Sequence, residues 1–213
     1  MIFKFIPKKN YSKIKLVIID CFITNFFNPE LGYIEKLKKT GALKKNHLFV
    51  PTFSYLGYLK RLILSFKLFC NKSYLIKDQY LNVRDLLKAF KIFKYSYSFN
   101  KKIDNLKNWK FEKIILKEMR NFTQFESIIY SVLNFCFAKN LKKNGIKIRK
   151  SVNFFENQNL DKGWNLGFNT FYGSTTNIGY QAFNYQPEYF NLSPSNQEIL
   201  QKVFAKKIII KGK

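Results

Sequence analysis

The sequence has little histidine, arginine or cysteine, and each shortage argues against a class of site. Its 213 residues contain one histidine, four arginines and three cysteines. Cys21, Cys70 and Cys136 are odd in number and far apart, so neither a disulfide framework nor a clustered zinc site is indicated, and a reducing compartment is expected. His47 begins the apolar run HLFV, where a histidine is more often a strand-edge residue than a metal ligand or a catalytic base.

Long apolar runs and well-marked functional motifs are also missing. Lys60, Arg61 and Lys67 interrupt one candidate apolar stretch and Glu126 interrupts the other, so no membrane-crossing helix is predicted. The start of the chain, MIFKFIPKKNYSK, lacks the apolar core and the small-residue cleavage site of a signal peptide. The motifs GxxxxGKS/T, GxGxxG, HExxH and GxSxG are absent, and neither a cofactor nor a metal is predicted.

Acidic residues are scarce relative to basic ones. Lysine and arginine total 38 against 13 acidic residues, which gives a formal net charge of +25 and ordinarily suggests a polyanionic partner. Recognition of phosphates and bases favours arginine, however, and this chain uses lysine together with much Asn, Ile, Phe and Tyr, as AT-rich coding does. We therefore interpret the charge mainly as coding bias and predict weak, salt-sensitive attraction to RNA and to anionic lipid.

Apolar runs alternate with helix signals along the chain, as in an α/β fold with a parallel sheet. Strands are predicted over 15–20 (KLVIID) and over 47–51 (HLFVP, stopped by Pro51), with a helix from about 28 to 39 between them, closed by Gly41. Asp20 is interpreted as a cap of the following loop rather than as a ligand-binding acid. The later predicted elements are helices over 83–94, 109–120 and 123–144, a strand over 189–192, a helix from Ser195 to about Phe204 opened by a capping box with Glu198, and a strand over 208–210.

The segment 54–71, SYLGYLKRLILSFKLFCN, has two interpretations. Its apolar residues occupy most faces of a helix, with lysine and arginine interspersed. The segment is either a core helix that packs on the sheet or a basic amphipathic helix that rests on anionic lipid. We favour the core helix, because helices that flank parallel sheets have this composition.

The remaining elements are organised around residues 151–181. Apolar, β-favouring residues occupy 152–155 and 176–180, and helical spacing of apolar residues occupies the segment between them. This order predicts two neighbouring parallel strands joined by a helical crossover. Polar side chains that follow such strands collect at the carboxyl edge of the sheet, where ligands bind.

Five polar residues are expected at that edge: Glu156, Asn157, Gln158, Tyr180 and Gln181. A carboxylate beside amides can act as a general base or hold sugar hydroxyls, because carboxylates accept hydrogen bonds and amides both donate and accept them. The structural alternative is simple capping of the following helix, whose dipole favours an acid near its start. The spacing alone does not separate these two interpretations.

The segment 154–198 resembles the mid-chain signature of bacterial surface-carbohydrate biosynthesis proteins related to GT-B glycosyltransferases. That signature has a strand ending in Glu, an amide-rich turn, a helix containing glycine, an IGYQ segment, and a later PS followed by an acid. The matching positions are Glu156, Asn157, Gln158, Lys162, Gly163, Gly167, Gly179, Tyr180, Gln181, Pro194, Ser195 and Glu198.

The resemblance implies a Rossmann-like, open, mostly parallel sheet flanked by helices, the amino-terminal half of a GT-B architecture. It implies that residues 1–213 form one acceptor-type domain, and that the carboxyl-terminal domain which binds the nucleotide-sugar is missing. Activity of the chain as a transferase on its own is therefore left open.

The leading hypothesis is a glycosyltransferase-related protein of surface polysaccharide biosynthesis, cytoplasmic or peripheral to the inner membrane, with a sugar or lipid-linked glycan as acceptor. In this hypothesis Glu156 is the catalytic or acceptor-orienting carboxylate, and Asn157, Gln158, Tyr180 and Gln181 bind substrate. Two alternatives remain: a basic nucleic-acid-binding protein, supported by the charge and the 18% of aromatic residues, and a non-catalytic scaffold at a membrane surface.

Overall fold

A computed structural model describes residues 11, 14–27, 35, 37, 39–41, 43–54, 56–99, 125–181 and 193–210. The strands are β1 (Lys15–Ile23), β2 (His47–Phe53), β3 (Lys147–Phe154), β4 (Thr176–Gln181) and β5 (Lys207–Ile210). The helices are α1 (Tyr58–Cys70), α2 (Val83–Phe99), α3 (Phe125–Lys143), α4 (Asn159–Phe171) and the short α5 (Asn196–Leu200), with a 3-10 turn at Lys77–Gln79.

The five strands form one parallel sheet in the order β2-β1-β3-β4-β5. Val152 of β3 pairs with Ile178 of β4, so the prediction that these two segments are neighbouring parallel strands is confirmed. The fold is an α/β, Rossmann-like open sheet flanked by helices. The strand order changes direction between β1 and β3, and in such sheets the crevice beyond the carboxyl ends of those two strands is where ligands bind.

Both faces of the sheet carry apolar clusters. On one face α3 and α4 pack over β1 and β3, with Phe137, Trp164 and Phe168 almost fully buried. On the other face α1 packs over β1 and β2 through Leu64 and Leu68. The favoured interpretation of segment 54–71 as a core-packing helix is therefore confirmed for one side of α1.

Close packing of α3 against α4 depends on two glycines that lie four residues apart. A Cβ atom at Gly163 would lie 1.9 Å from the backbone oxygen of Ser131, and one at Gly167 would lie 2.8 Å from the Cβ of Ala138. Glycines at this spacing let two helix backbones approach more closely than any side chain would allow. The position of α4 over the sheet is therefore fixed by contact with α3.

Several predicted boundaries differ from the observed ones. β2 does not stop at Pro51 but continues to Phe53, because β2 is an edge strand whose outer side needs no donor from that residue. β1 extends to Ile23, α2 extends to Phe99, and α5 ends at Leu200 rather than near Phe204. The predicted helix 109–120 and strand 189–192 lie outside the described residues, as does most of the predicted helix 28–39.

Other predictions agree with the structure. His47 is the first residue of β2, and Gly41 has the positive φ, 65°, that is common just after a helix. The Ser195–Glu198 capping box is present, and α3 covers most of the predicted helix 123–144. Within the described residues, no helix has the length and apolar composition needed to cross a membrane.

Candidate functional site

The turn between β3 and α4 places Glu156, Asn157 and Gln158 just beyond the carboxyl end of β3. Asn157 has a positive φ of 54°, a conformation that asparagine tolerates better than most residues. One carboxylate oxygen of Asp161 accepts hydrogen bonds from the backbone N–H of Glu156 at 2.9 Å and of Gln158 at 3.1 Å. Asp161, in the first turn of α4, therefore holds the turn in shape, and Gln158 is the N-cap of α4 in a capping box with Asp161.

Glu156 and Gln158 form a side-chain pair at this turn. The Gln158 amide donates to the Glu156 carboxylate at 2.5 Å. Partial burial raises the pKa of Glu156 above its usual value, and the hydrogen bond from Gln158 opposes part of that rise. A raised pKa makes a carboxylate a stronger base than a fully solvated one.

Asp161 is the most strongly perturbed acid of the site. It is 3% exposed, and burial raises its pKa to about 7, although the two backbone N–H donors favour the charged form. The negative charges of Asp20 and Glu156 contribute to the rise. The turn is therefore held by a carboxyl that changes its charge near neutral pH.

We expect stability to fall with rising pH because of Asp161. Its pKa in the folded protein, about 7, exceeds the unfolded value of about 3.9, so the folded state holds the proton more tightly. The stabilisation is complete below the pKa of the unfolded state and is lost as pH rises through the pKa of the folded state. The free energy of unfolding should therefore fall by roughly 2 to 3 kcal/mol between pH 5 and pH 8.

Urea unfolding of the wild-type protein and of Asp161→Asn at several pH values checks this. Asparagine keeps an oxygen acceptor for the two backbone N–H groups and cannot ionise, so the wild-type advantage over the variant should shrink as pH rises. Parallel stability curves for the two proteins would show that Asp161 does not titrate in this range.

A second polar cluster lies next to Asp161, on the face of the sheet covered by α3 and α4. Asp20 of β1 accepts a hydrogen bond from the Thr52 hydroxyl at 2.8 Å and lies 3.6 Å from the Lys77 ammonium group. Lys77 also donates to Thr52 at 2.7 Å and to Asn134 of α3 at 2.9 Å. The prediction that Asp20 caps the following loop is wrong, because β1 continues for three residues beyond it and its side chain bonds to β2.

Several buried polar atoms near these clusters have no hydrogen-bond partner within the described part of the chain. They are both side-chain polar atoms of Asn153, the indole nitrogen of Trp164, and the amide nitrogens of Asn165 and Gln181. Buried polar groups are nearly always paired with protein, water or ligand. The unpaired atoms therefore mark the strands β3 and β4 and the facing side of α4 as a polar region within the core.

Sequence reasoning missed Asn153, Asp161 and Asn165, although the sequence carries a signal for them. Asp161, Asn165 and Asn169 recur every four residues, which places them on one side of α4. Polar residues also alternate along β3, at Ser151 and Asn153. The two patterns match because the polar side of the helix faces the polar side of the sheet, where Asn177 of β4 donates to Asn165 at 2.8 Å.

The five predicted site residues do not converge on one cavity. Gln181 is buried on the α4 side of the sheet, whereas Tyr180, its neighbour in β4, lines a cavity of about 310 Å³ on the opposite face with Phe154 and Ile178. Successive side chains of a strand point to opposite faces, which explains the separation. Glu156 and Gln158 are in contact with each other, and neither is among the described residues that line the Tyr180 cavity.

Glu198 connects the turn to the short helix α5. Its carboxylate lies 2.8 Å from the Lys162 ammonium group and accepts a hydrogen bond of 3.4 Å from the Asn157 amide. The pKa of Glu198 is lowered to about 2 by the hydrogen bond from Lys162 and by the backbone N–H of Ser195. Glu198 of α5 is therefore in contact with the amide-rich turn between β3 and α4.

No group of three or more His, Cys, Asp or Glu side chains that could hold a metal ion occurs in the ranges that the structure describes. The turn itself offers carboxylates, which accept hydrogen bonds, and amides, which both donate and accept them. Comparison with protein-family models, with curated proteins and with solved structures found no match for this chain.

Proposed function

We propose that the protein binds a glycan acceptor at the carboxyl edge of its sheet and belongs to the machinery of surface polysaccharide biosynthesis. The observation that carries the proposal is the Glu156–Gln158 pair, held at the end of β3 beside the point where the strand order changes direction. A carboxylate and an amide together accept from and donate to the hydroxyls of a sugar.

The raised pKa of Glu156 supports a role beyond binding. In glycosyl transfer a base removes the proton of the acceptor hydroxyl as that oxygen bonds to the sugar carbon of the donor, and the bond from that carbon to the nucleotide phosphate breaks, so that the nucleotide leaves with the electron pair. Glu156 would take that proton, and Gln158 would orient the carboxylate. If the acceptor is lipid-linked, the protein would act at the surface of the inner membrane.

The test is binding of a panel of neutral and acidic oligosaccharides, measured by calorimetry and by shifts in the NMR signals of the turn. We expect Glu156→Gln to weaken binding by about tenfold, since a hydrogen bond to a charged group contributes roughly 1.5 to 3 kcal/mol. Its melting temperature should remain near that of the wild type, because Glu156 is only partly buried.

Glu35→Gln is the matched control, because Glu35 is a half-exposed glutamate whose ion pair is with Lys39, four residues further along the chain. Oligosaccharide binding that is equally strong in Glu156→Gln and Glu35→Gln would reject the role of Glu156. The absence of binding to every member of the panel would reject the glycan proposal itself.

A further inference from the structure

A cavity of about 660 Å³ lies at the amino edge of the sheet, on the opposite edge from Glu156. Four basic residues from three different elements line it: Lys15 at the start of β1, Lys142 in the last turn of α3, and Lys147 and Arg149 near the start of β3. Parallel strands begin at the same edge of a sheet, which is why residues this far apart in the sequence meet there. The fold therefore brings four cations together at one concave site.

The positive charge of this cavity is not balanced. No acid is among the described residues that line it, and the four cations form no ion pair with any residue that the structure describes. Burial lowers the pKa of His47 at the start of β2, and the positive charges of Lys44, Arg149 and Lys150 lower it further. An anion that enters the cavity would thus meet a positive potential with no competing carboxylate among the described residues.

The wall between the cations is held in place by buried hydroxyl groups. Tyr172 and Thr175 line the cavity and are only 5% and 4% exposed. The Tyr172 hydroxyl donates to the backbone oxygen of Ile146, and the Thr175 hydroxyl donates to that of Ile148, each at 3.0 Å. The Lys206 ammonium group donates to the Thr175 backbone oxygen at 3.3 Å, so this carbonyl does not repel an anion. Because the wall is already formed, little ordering is needed when a ligand binds.

Arg149 is placed at the cavity by an irregularity in strand pairing. Leu16 of β1 pairs with Ile148 and Val17 pairs with Lys150, so Arg149 pairs with no residue of β1. Such a bulge is rare between parallel strands, and bulges redirect side chains beside functional sites. Arg149 is one of only four arginines in the chain, and a guanidinium group can hold two phosphate oxygens at once. The bulge therefore gives the cavity the side chain best suited to bind phosphate.

We infer that this cavity binds a small ligand that carries a chain of linked phosphates, such as the triphosphate of a nucleotide. Its volume lies within the range of small-molecule sites, and four cations would balance the several negative charges of such a chain. A nucleic-acid strand is bound by cations that follow its backbone along a groove. These four cations converge on one concave site instead, so a compact polyanion fits them better.

Isothermal titration calorimetry with inorganic triphosphate and with ATP, at about 0.15 M salt and without metal ions, tests the inference. The variant Lys147→Gln/Arg149→Gln removes two exposed cations of the cavity, and thermal unfolding checks that it remains folded. We expect the wild type to bind one ligand per chain and the variant to bind at least about tenfold more weakly, since charged donors make the strong hydrogen bonds to phosphate. Lys142→Gln, a change in a different element, should also weaken binding. Equal affinities for the two ligands would show that the linked phosphates alone are recognised, and tighter binding of ATP would show that its nucleoside contacts the wall as well; both results support the inference.

The matched control is Lys91→Gln/Lys94→Gln, which removes the same charge from exposed residues of α2 that do not line the cavity. The control should bind triphosphate as the wild type does. Equal loss in the two double variants would show diffuse attraction to a basic protein and would overturn the inference, as would the absence of saturable binding to the wild type. It would also be overturned if a single-stranded RNA oligonucleotide bound more tightly than triphosphate and the cavity variant weakened that binding. Neither result bears on the glycan proposal, because Glu156 lies at the carboxyl edge of the sheet.

Discussion

Gly163→Ala is expected to destabilise the protein by about 3 kcal/mol or more, at the upper end of the cost of overpacking a core. Alanine ordinarily stabilises a helix by about 1 kcal/mol relative to glycine, so the expected sign is the reverse of the intrinsic preference. The added Cβ would lie 1.9 Å from the backbone oxygen of Ser131 and 2.5 Å from its carbonyl carbon. Because backbone atoms cannot rotate away, α3 and α4 would have to separate along their contact.

Urea unfolding followed by circular dichroism measures this effect, and Gly173→Ala is its control. Gly173 is exposed just after α4, and the nearest atom to its added Cβ is the Asn169 oxygen at 3.8 Å, so the control should change stability by no more than about 0.5 kcal/mol. If Gly163→Ala were as stable as the wild type, α3 and α4 could not pack as described.

Lys77→Met is expected to cost about 3 kcal/mol, because it leaves a buried acid without its cation. Asp20 is 4% exposed and, among the residues that the structure describes, would retain the Thr52 hydroxyl as its donor. Thr52 and Asn134 would also lose the ammonium group from which they accept hydrogen bonds. Lys91→Met, on the exposed side of α2, should leave stability nearly unchanged.

The double variant Asp20→Asn/Lys77→Met separates charge from packing. Replacing both charges leaves no unpaired ion in the core, and the asparagine oxygen still accepts from Thr52, so the double variant should be more stable than Lys77→Met alone. Thermal and urea unfolding of the wild type, of the two single variants and of the double variant complete the cycle. If the double variant were no more stable than the single one, the cost would come from lost packing of the lysine stem and not from the charge of Asp20.

The packing of α4 explains three of the glycines on which the resemblance to carbohydrate-biosynthesis proteins rests. Gly163 and Gly167 are required by the approach of α3, and a Cβ at Gly179 would lie 2.9 Å from the Phe155 ring. These glycines therefore have a packing role whatever the protein binds. Gln158 likewise has a structural role, because it is the N-cap of α4 in a capping box with Asp161.

The elements that the sequence predicts correctly rest on local patterns. The apolar runs at 152–155 and 176–180, with a helix between them, predict parallel pairing because a short crossover allows little else. Ser195 and Glu198 predict a helix start because their side chains cap it within one turn. Neither prediction depends on what lies across the core.

The contacts of individual side chains depend on partners distant in the sequence. Asp20 resembled a loop cap because nothing near it in the chain identifies Thr52, 32 residues away, as its partner. Tyr180 and Gln181 were grouped because they are adjacent in sequence, yet the alternation of a strand separates them across the sheet.

The sequence by itself determined the α/β class, the parallel pairing of β3 with β4 and the acid-and-amide turn between β3 and α4, because each follows from side-chain periodicity and capping over a few residues. Only the tertiary structure decided that Asp161 is buried with a pKa of about 7, that Asp20 pairs with Lys77, and that cations of β1, α3 and β3 line one cavity. Burial and charge pairing are set by which distant elements meet, as when the glycines of α4 let α3 approach closely.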